Sequence, residues 1–459
     1  MKKYTVSLLV LLTALISCRC QNTQELQHKG DLPIEVLQKV ERLISQGATP
    51  SIAMALIDSS GTRFFNFGKT SFDGSRVDEN TIYEIGSISK VFTGIILAQQ
   101  VLDGDIELED RINDLLPDSI AVPVVGDVEI TIGNLTDHTS GLPRMPKNFA
   151  PANPNNPYAD YTVKRMYEFI ANYQPVRSVG SEYEYSNLAQ GLLGHLLALN
   201  QNTTYDDLMV QTIADPLKMN DTRITFTKRM KDHLAFGHNS GKVVENWDIP
   251  TLAGAGAIRS STKDMAEFIS CNLGYIDLPL AAAIRLSHEV RHEKAGPMSV
   301  AMGWHIKKGE NGDVIWHNGG TGGYRAFTGF VKETGRGVVL LTNSTVSVDD
   351  IGFYLLDSGS QLTERKFKSD AIELPESILE RYVGVYELLP EFKITITKEG
   401  TQLFTRATGQ GKIEIYPESD TVFFLTVVEA KISFQLKDGN VERLTLFQGG
   451  QEIAGKKIE

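Results

Sequence analysis

An apolar helix with two polar side chains at its start constrains this chain more than any other stretch. Apolar residues recur at helical spacing across residues 91–102, and Gly104 supplies a stop signal, so the pattern predicts a helix that begins close to Ser87. Ser87 and Lys90 are three residues apart, which places both side chains on one face of a helical turn. A hydroxyl and an amine are therefore predicted to be neighbours.

That pairing has a chemical requirement. A serine hydroxyl is a weak nucleophile until a base removes its proton, and an amine can act as that base only when it is neutral. Bringing the pKa of Lys90 from about 10.4 to about 7–8 takes ~3–4 kcal/mol against the charged form, and burial near a helix N-terminus acts in that direction. The Ser-x-x-Lys spacing alone is weak evidence, since a capped surface helix produces it equally well.

Composition limits the classes of protein that remain. Of 459 residues, 41% are hydrophobic and 22% are charged, a balance typical of globular domains with a large core. The formal net charge is −12 and no Lys/Arg-rich block occurs, which argues against a nucleic-acid surface.

The N-terminus has the layout of an export signal. Two lysines precede an apolar run at residues 6–16 that is too short to span a bilayer comfortably. The run ends in Leu-Ile-Ser-Cys, which resembles a bacterial lipobox with Cys18 as the lipidated residue; a plain cleaved signal is the alternative. We expect residues 1–17 to be a signal peptide and 18–30 a tether, giving an exported periplasmic or outer-membrane-associated lipoprotein.

The other two cysteines, Cys20 and Cys271, stay as thiols or form one disulfide. No Cys/His set has the spacing of a zinc site, so we expect neither a metal ion nor another cofactor.

A second candidate site lies just before the apolar run at residues 192–197. Tyr185 offers a phenol that can relay protons, and Asn187 offers a carboxamide that can donate and accept. The alternative is a helix N-terminus capped by Ser186 or Asn187. His138, in a Gly/Pro-punctuated segment, is predicted to satisfy turn hydrogen bonds rather than to touch substrate, and residues 253–264 are assigned a structural role with Ser261 as a helix cap.

A third candidate is the sequence His317-Asn318-Gly319-Gly320. A strand enters this segment, its glycines allow a ligand to approach the backbone closely, and two further strands follow between residues 327 and 343. A phosphate-binding loop is the rival, but no Lys-Ser/Thr follows the glycines and no helix starts there.

Three motifs occur in order and at wide spacing: Ser87-x-x-Lys90, Tyr185-Ser186-Asn187 and His317-Asn318-Gly319. Together they resemble the serine penicillin-recognising hydrolases, and in particular the group related to class C β-lactamases, which also contains D-peptidases and esterases. The resemblance covers about residues 35–345. It implies an α/β domain with an antiparallel sheet flanked by helices and a helical subdomain.

The resemblance also implies roles. Ser87 would be the acylated nucleophile, with Lys90 and Tyr185 sharing the proton transfers. Asn187 would hold the substrate's amide oxygen, and the backbone N–H groups of Ser87 and Gly320 would form the oxyanion hole.

One position departs from the family pattern. His317 stands where many members have a lysine, and histidine titrates near 6.5, so less positive charge would face a substrate carboxylate. The resemblance with His here favours D-peptidases and esterases over efficient β-lactamases. Arg325 either replaces the lost charge or is an ordinary surface arginine. His317, Gly319 and Gly320 are thus predicted to contact substrate.

After about residue 367 the pattern becomes one of short alternating strands broken by Gly-containing turns, which predicts a small antiparallel barrel. It resembles the lipocalin-like domain attached to some D-peptidases of this group. The resemblance implies that the domain would shape the cleft or mediate oligomers. A passive stabilising role is the alternative.

The predicted organisation is therefore a serine hydrolase domain at residues 31–366 and a β-barrel at 367–459. The preferred function is hydrolysis of a D-amino-acid-containing peptide through a Ser87 acyl-enzyme. A carboxylesterase or weak β-lactamase on the same site is one alternative, and a non-catalytic lipid-anchored binding protein is another.

Overall fold

The structure, a computed structural model, describes residues 32–124, 128–174, 176–427, 430–448 and 451–459. The predicted signal peptide, the lipidation residue Cys18, the tether and Cys20 lie outside these residues. The chain divides between Leu362 and Thr363 into two compact units, where the sequence predicts a boundary between residues 366 and 367. Within the described ranges, no helix is long and apolar enough to cross a membrane.

The first unit is built around one antiparallel sheet. Its strands are β1 (Ser51–Asp58), β2 (Gly61–Gly68), β7 (His292–Ala295), β8 (Met298–Val300), β9 (His305–Gly309), β10 (Gly312–Gly320), β11 (Arg325–Val331) and β12 (Arg336–Thr342), with the short strands β3 (Ile82–Glu84), β4 (His238–Asn239), β5 (Lys242–Val243) and β6 (Arg259–Ser261) outside it. The order is β2-β1-β12-β11-β10-β9-β8-β7. The predicted β1–β2 hairpin is confirmed, and Ile52 of β1 pairs with Thr342 of β12.

Helices surround this sheet and form the rest of the unit. They are α1 (Ile34–Ser45), α2 (Ser89–Asp103), α3 (Ile112–Leu115), α4 (Ile132–Thr136), α5 (Val163–Ile170), α6 (Asn187–Asn200), α7 (Tyr205–Met209), α8 (Lys228–Asp232), α9 (Ala253–Gly256), α10 (Thr262–Asn272), α11 (Ala281–Ser287) and α12 (Asp349–Leu356). Helix α10 packs on β1 and β12, and α12 packs on β11 and β12. The central strands are thus buried on both faces, which explains why they are almost continuously apolar.

Helix α2 is the buried helix that the apolar pattern predicts. It is covered by α6, α9 and α11, and it ends at Gly104 in the left-handed conformation, with φ of 77°. Its start differs from the prediction. Ser87 lies in a short 3-10 turn (Gly86–Ile88), and α2 itself begins at Ser89. A side-chain carbon at Gly94 would collide with the carbonyl oxygen of Met302, so the helix lies directly against backbone.

The second unit is a closed antiparallel barrel, as predicted. Its strands are β13 (Gly384–Leu389), β14 (Phe392–Glu399), β15 (Gln402–Ala407), β16 (Ile413–Pro417), β17 (Val422–Phe424), β18 (Ala430–Lys437), β19 (Asn440–Gln448) and β20 (Gln451–Lys457), preceded by helix α13 (Glu376–Leu379). The rings of Tyr382, Tyr386, Phe423 and Phe434 pack against one another inside it. The centre of the barrel is therefore occupied by its own side chains.

Two barrel strands, β16 and β20, are not predicted from the sequence. Strand β20 reads Gln-Glu-Ile-Ala-Gly-Lys-Lys and lacks the alternating apolar signal, whereas β16 alternates only over the four residues Ile-Glu-Ile-Tyr before Pro417 and is too short to stand out. Strand β20 forms because it closes the barrel: its hydrogen bonds join β19 to β13.

The contribution of the N-terminal cap of α10 to stability can be tested by substitution. Ser261 accepts a hydrogen bond from the Asp264 amide, as the sequence predicts. We expect Ser261→Ala to cost about 1 kcal/mol, seen as a lower melting temperature by calorimetry, since the amide loses its acceptor. Ser270→Ala, inside the same helix, is the control and should not lower the melting temperature, because alanine is the better helix former. An equal decrease in melting temperature in both variants would contradict a capping role for Ser261.

Candidate active site

Ser87 is held in a constrained turn. Gly86 adopts the left-handed conformation with φ of 51°, and a side-chain carbon there would lie 2.6 Å from the Gly320 amide nitrogen. The hydroxyl of Ser89 donates to the Gly86 carbonyl at 2.8 Å and accepts from the Ile258 amide at 3.1 Å. These contacts hold the turn before α2 in place and explain why the helix does not start at Ser87 itself.

Lys90 is completely buried beside Ser87. Its Nζ lies 2.7 Å from the Ala255 carbonyl oxygen, 2.9 Å from Asn187 Oδ1 and 3.2 Å from Ser87 Oγ. The carbonyl and the amide oxygen can only accept hydrogen bonds, whereas the serine hydroxyl can also donate. A neutral amine has two N–H donors and one lone pair, so this set of partners leaves the lone pair for the Ser87 hydroxyl.

Burial favours that neutral form. It lowers the pKa of Lys90 well below the ordinary value, and the positive charge of Arg144 acts in the same direction. Across the described residues, no carboxylate bonds to Nζ to offset the desolvation. The two side chains that the sequence places on one helical face therefore meet in the protonation states that proton transfer from Ser87 requires.

Tyr185 lies over the same amine. The centroid of its ring is 4.7 Å from Lys90 Nζ. Burial raises the pKa of Tyr185 above its usual value, and a hydrogen bond with Ser87 partly opposes this. The phenol is consequently protonated at neutral pH and can donate a proton toward Ser87.

The start of α6 satisfies both interpretations of the second motif. Ser186 is the helix cap: its hydroxyl accepts from the Ala189 amide at 2.9 Å and donates to the Pro143 carbonyl at 2.7 Å. Asn187 is the first helical residue, and its carboxamide points to Lys90. Its Nδ2 lies 3.8 Å from Met145 Sδ, a weak contact that leaves the amide group available.

His138 organises the turn that supports Tyr185. It adopts φ of 63°, its carbonyl accepts from the Glu184 amide at 2.9 Å, and its Nδ1 accepts from the Ser186 amide at 3.0 Å. Its ring stacks on Tyr185 with 4.8 Å between centroids. The expectation that His138 satisfies turn hydrogen bonds agrees with these contacts.

The third motif lies on β10, directly against the Ser87 turn. A side-chain carbon at Gly319 would collide with the Ile85 carbonyl and lie 3.3 Å from the Ser87 amide nitrogen. Gly320 is the last residue of β10 and pairs with Arg325 on β11. A glycine at position 319 is therefore required for the two backbone segments to meet, at the place where the family resemblance implies an oxyanion hole.

His317 is buried and uncharged. Its Nδ1 donates to the Asn318 carbonyl at 2.5 Å, its ring stacks on His305 with 4.7 Å between centroids, and burial lowers its pKa well below the usual value. Within the described structure, Nε2 has no hydrogen-bond partner. The position thus offers a neutral lone pair where a lysine would offer a charge.

Arg325 lies beside Gly320 with its guanidinium already engaged. Its Nη1 donates to the carbonyls of Thr321 and Tyr324 at 3.1 and 3.0 Å, and burial lowers its pKa. It is thus neither an ordinary surface arginine nor a free cation.

A small cavity of about 30 Å³ opens onto Ser87, large enough for one or two waters. Asn187 and Gly320 line it together with Tyr158 and Trp247, whose rings are 5.4 Å apart. Tyr158 lies in the connection between α4 and α5. A separate groove of about 730 Å³, lined by residues of α5 and its neighbours, does not include Ser87.

Several groups that form the candidate active site were not predicted from the sequence. The carbonyl of Ala255 is one, because any residue carries a backbone carbonyl and the segment gave only a packing signal. His305, which stacks on His317, is another, and nothing in its local sequence marks it.

Cys271 is a free, buried thiol, and burial raises its pKa to about 11. Among the described residues, no group of three or more His, Cys, Asp or Glu could hold a metal ion.

Comparison with known proteins agrees with this fold and motif set. Residues 36–356 match the Beta-lactamase family, and residues 368–457 match the Domain of unknown function (DUF3471). A Beta-lactamase of Pseudomonas fluorescens is 27% identical over 66% of this chain and 91% of its own length. Penicillin-binding protein 4* of Bacillus subtilis (strain 168) is 25% identical over 81% of this chain and 87% of its own. A solved class C β-lactamase, 19% identical, superposes with a TM-score of 0.63 over 72% of this chain and 97% of that one.

The first unit therefore has a β-lactamase-like fold, with an antiparallel sheet flanked by helices. The chain belongs to the β-lactamase family and is a serine hydrolase of that family, followed by an all-β barrel.

The protonation state of Lys90 can be tested through pH. Because burial depresses its pKa, the amine becomes neutral below the ordinary range near 10.5, so acylation by an activated ester should rise with pH and level off before pH 10. Stopped-flow release of the leaving group measures this. Lys90→Arg, which stays charged, should lower the rate by about 10²–10⁴. A rate that still climbs through pH 10.5 would contradict a depressed pKa.

The close approach of β10 to the Ser87 turn gives a second test. Gly319→Ala should force the strand away from Ile85 and Ser87 and lower kcat by about 10²–10³, the effect of losing one oxyanion donor. Gly411→Ala, at a position with open space in the barrel, is the control. Circular dichroism checks that both variants fold. A folded Gly319→Ala protein with unchanged kcat would rule out the predicted oxyanion hole.

Proposed function

We propose that this protein hydrolyses an amide or ester through an acyl-enzyme on Ser87, and that a D-amino-acid-containing peptide is its substrate. One observation carries the proposal: the Lys90 amine is completely buried, lies 3.2 Å from Ser87 Oγ and has two obligate acceptors as its other contacts, so in its neutral form it can accept the Ser87 proton. Membership of the β-lactamase family supports the same chemistry.

In the proposed acylation, Lys90 accepts the proton of Ser87 while Oγ forms a bond to the substrate carbonyl carbon. The carbonyl oxygen becomes an oxyanion between the amides of Ser87 and Gly320. Tyr185 donates a proton to the leaving group as the scissile bond breaks, and Lys90 returns one to the phenol. Water then adds to the acyl-enzyme with the same groups, releasing the acid and free Ser87.

The neutral environment of His317 supports an ester, or a peptide cut away from its terminal carboxylate, over a β-lactam. A β-lactam presents its carboxylate close to the reacting carbonyl, and an uncharged imidazole stabilises that carboxylate less than a lysine does. The carboxylesterase and weak β-lactamase alternatives use the same Ser87. A binding protein without turnover is disfavoured, because Ser87, Lys90, Tyr185 and Asn187 are all present and in contact range.

We also propose that the protein is exported and anchored by lipid on Cys18. The apolar run at residues 6–16 and the Leu-Ile-Ser-Cys sequence support this. A membrane-facing location would bring the site to peptides of the cell envelope. The C-terminal barrel would serve oligomerisation or act as a passive stabilising unit.

The proposal is tested by intact mass spectrometry and product release. The full chain and its Ser87→Ala variant are incubated with a D-Ala-D-Ala peptide, an activated ester and a penicillin. We expect an adduct or turnover that is lost in the variant, fastest with the D-peptide among amides. Faster turnover of the penicillin than of the D-peptide, or turnover of the ester alone, would select an alternative, and no Ser87-dependent reaction with any of them would refute the acyl-enzyme.

A further inference from the structure

Arg144 is an exposed cation beside the proposed acylation site. Its Cζ lies 4.9 Å from the centroid of the Tyr185 ring. Throughout the described ranges, its guanidinium makes no hydrogen bond and no ion pair with the protein. The chain has 57 acidic and 45 basic side chains, so an arginine at the active site without an acidic partner is available to an anion from outside.

Other arginines near the site are occupied. Arg177 pairs with Glu184, and the buried Arg259 pairs with Glu84 at 3.5 Å. Arg325 donates to two backbone carbonyls, as described above. Of these cations, Arg144 alone keeps its donors free within the part of the chain that the structure describes.

The remaining basic groups at the site are held neutral. Burial lowers the pKa values of Lys90, His138 and His317 well below their usual ranges. Apart from Arg325, whose charge is partly buried and whose Nη1 already donates to backbone carbonyls, the positive charge close to the Lys90 amine comes from Arg144.

The position of Arg144 identifies which part of a substrate it would meet. Its backbone carbonyl accepts from the amides of Asn187 and Leu188 at 3.0 and 3.3 Å, so it lies on the Asn187 side of the site. Its guanidinium and the Lys90 amine flank one ring at 4.9 and 4.7 Å, which places them within about 10 Å of each other. An extended chain advances about 3.3–3.6 Å per residue, so an anion bound by Arg144 would lie within about three residues of the scissile carbonyl.

We propose that Arg144 is a specificity-determining residue that binds a carboxylate on the acyl portion of the substrate. The inference rests on the proposed function, because Ser87 defines the scissile bond and because the family resemblance implies that Asn187 holds an amide oxygen of the acyl portion. A guanidinium suits this task, since it stays charged and can form two parallel hydrogen bonds to one carboxylate. It would therefore select acidic peptides.

The test compares two acyl groups on one leaving group. We use the p-nitrophenyl esters of N-succinyl-D-alanine, which has a free carboxylate on the acyl side, and of N-acetyl-D-alanine, which has none. The readout is the ratio of kcat/KM for succinyl over acetyl, in which any general effect of Arg144 on Lys90 cancels. Arg144→Gln should lower this ratio about tenfold, the loss expected for a hydrogen-bonded charge pair at an exposed site.

Two variants serve as controls. Arg144→Lys keeps the charge and should retain most of the ratio. Lys147→Gln removes a nearby cation on the same segment, one that borders the separate groove, and should leave the ratio unchanged. A ratio that is the same in wild type and Arg144→Gln, or that falls equally in Lys147→Gln, would overturn the proposal.

A binding measurement separates this inference from the proposed function. Calorimetry with Ser87→Ala protein compares N-succinyl-D-alanine amide with N-acetyl-D-alanine amide, with and without Arg144→Gln. If neither ester is turned over but Arg144→Gln weakens only the succinyl compound, the acyl-enzyme fails and the anion site stands. If Ser87-dependent turnover occurs but the succinyl preference does not depend on Arg144, the acyl-enzyme stands and the anion site fails.

Discussion

The buried amine of Lys90 is the constraint on which the site depends. A charged ammonium at this position would need a carboxylate or several waters, and its three contacts are instead a carbonyl, a carboxamide and a hydroxyl. Each contact comes from a different part of the chain: the turn at Ser87, the start of α6 and the carbonyl of Ala255. The neutral base is therefore a property of the assembled domain, not of the Ser-x-x-Lys segment.

The surroundings extend the same electrostatic pattern. His138, His305 and His317 are all held neutral by burial, and the phenol of Tyr185 is held protonated. Such shifts cluster at functional sites, because the burial that displaces each pKa also sets which groups are neutral and which are protonated at neutral pH. The stacked pair of His305 and His317 forms an aromatic, uncharged surface across the neighbouring strands β9 and β10.

Sequence patterns could predict the parts of this molecule that have a local cause. The apolar period marks α2, alternation marks most barrel strands, and the order of three short motifs identifies the family. The 3-10 turn at Ser87 could not be predicted, since it follows from contacts of Ser89 with Gly86 and Ile258. The roles of the Ala255 carbonyl and of strand β20 could not be predicted either, because both depend on contacts with residues that are distant in the sequence. Arg144 was equally invisible, since only the structure shows which arginines have partners.

The pairing of β1 with β12 has a consequence for how the domain is made. Ser51 and Asn343 are hydrogen-bonded although they are 292 positions apart in the chain. The central strands of the sheet therefore cannot join until nearly the whole domain has been synthesised, and closing so long a loop slows folding. During synthesis the apolar strand β1 waits without its partner, so its neighbour β2 and helix α10 are the earlier contacts that can shield it.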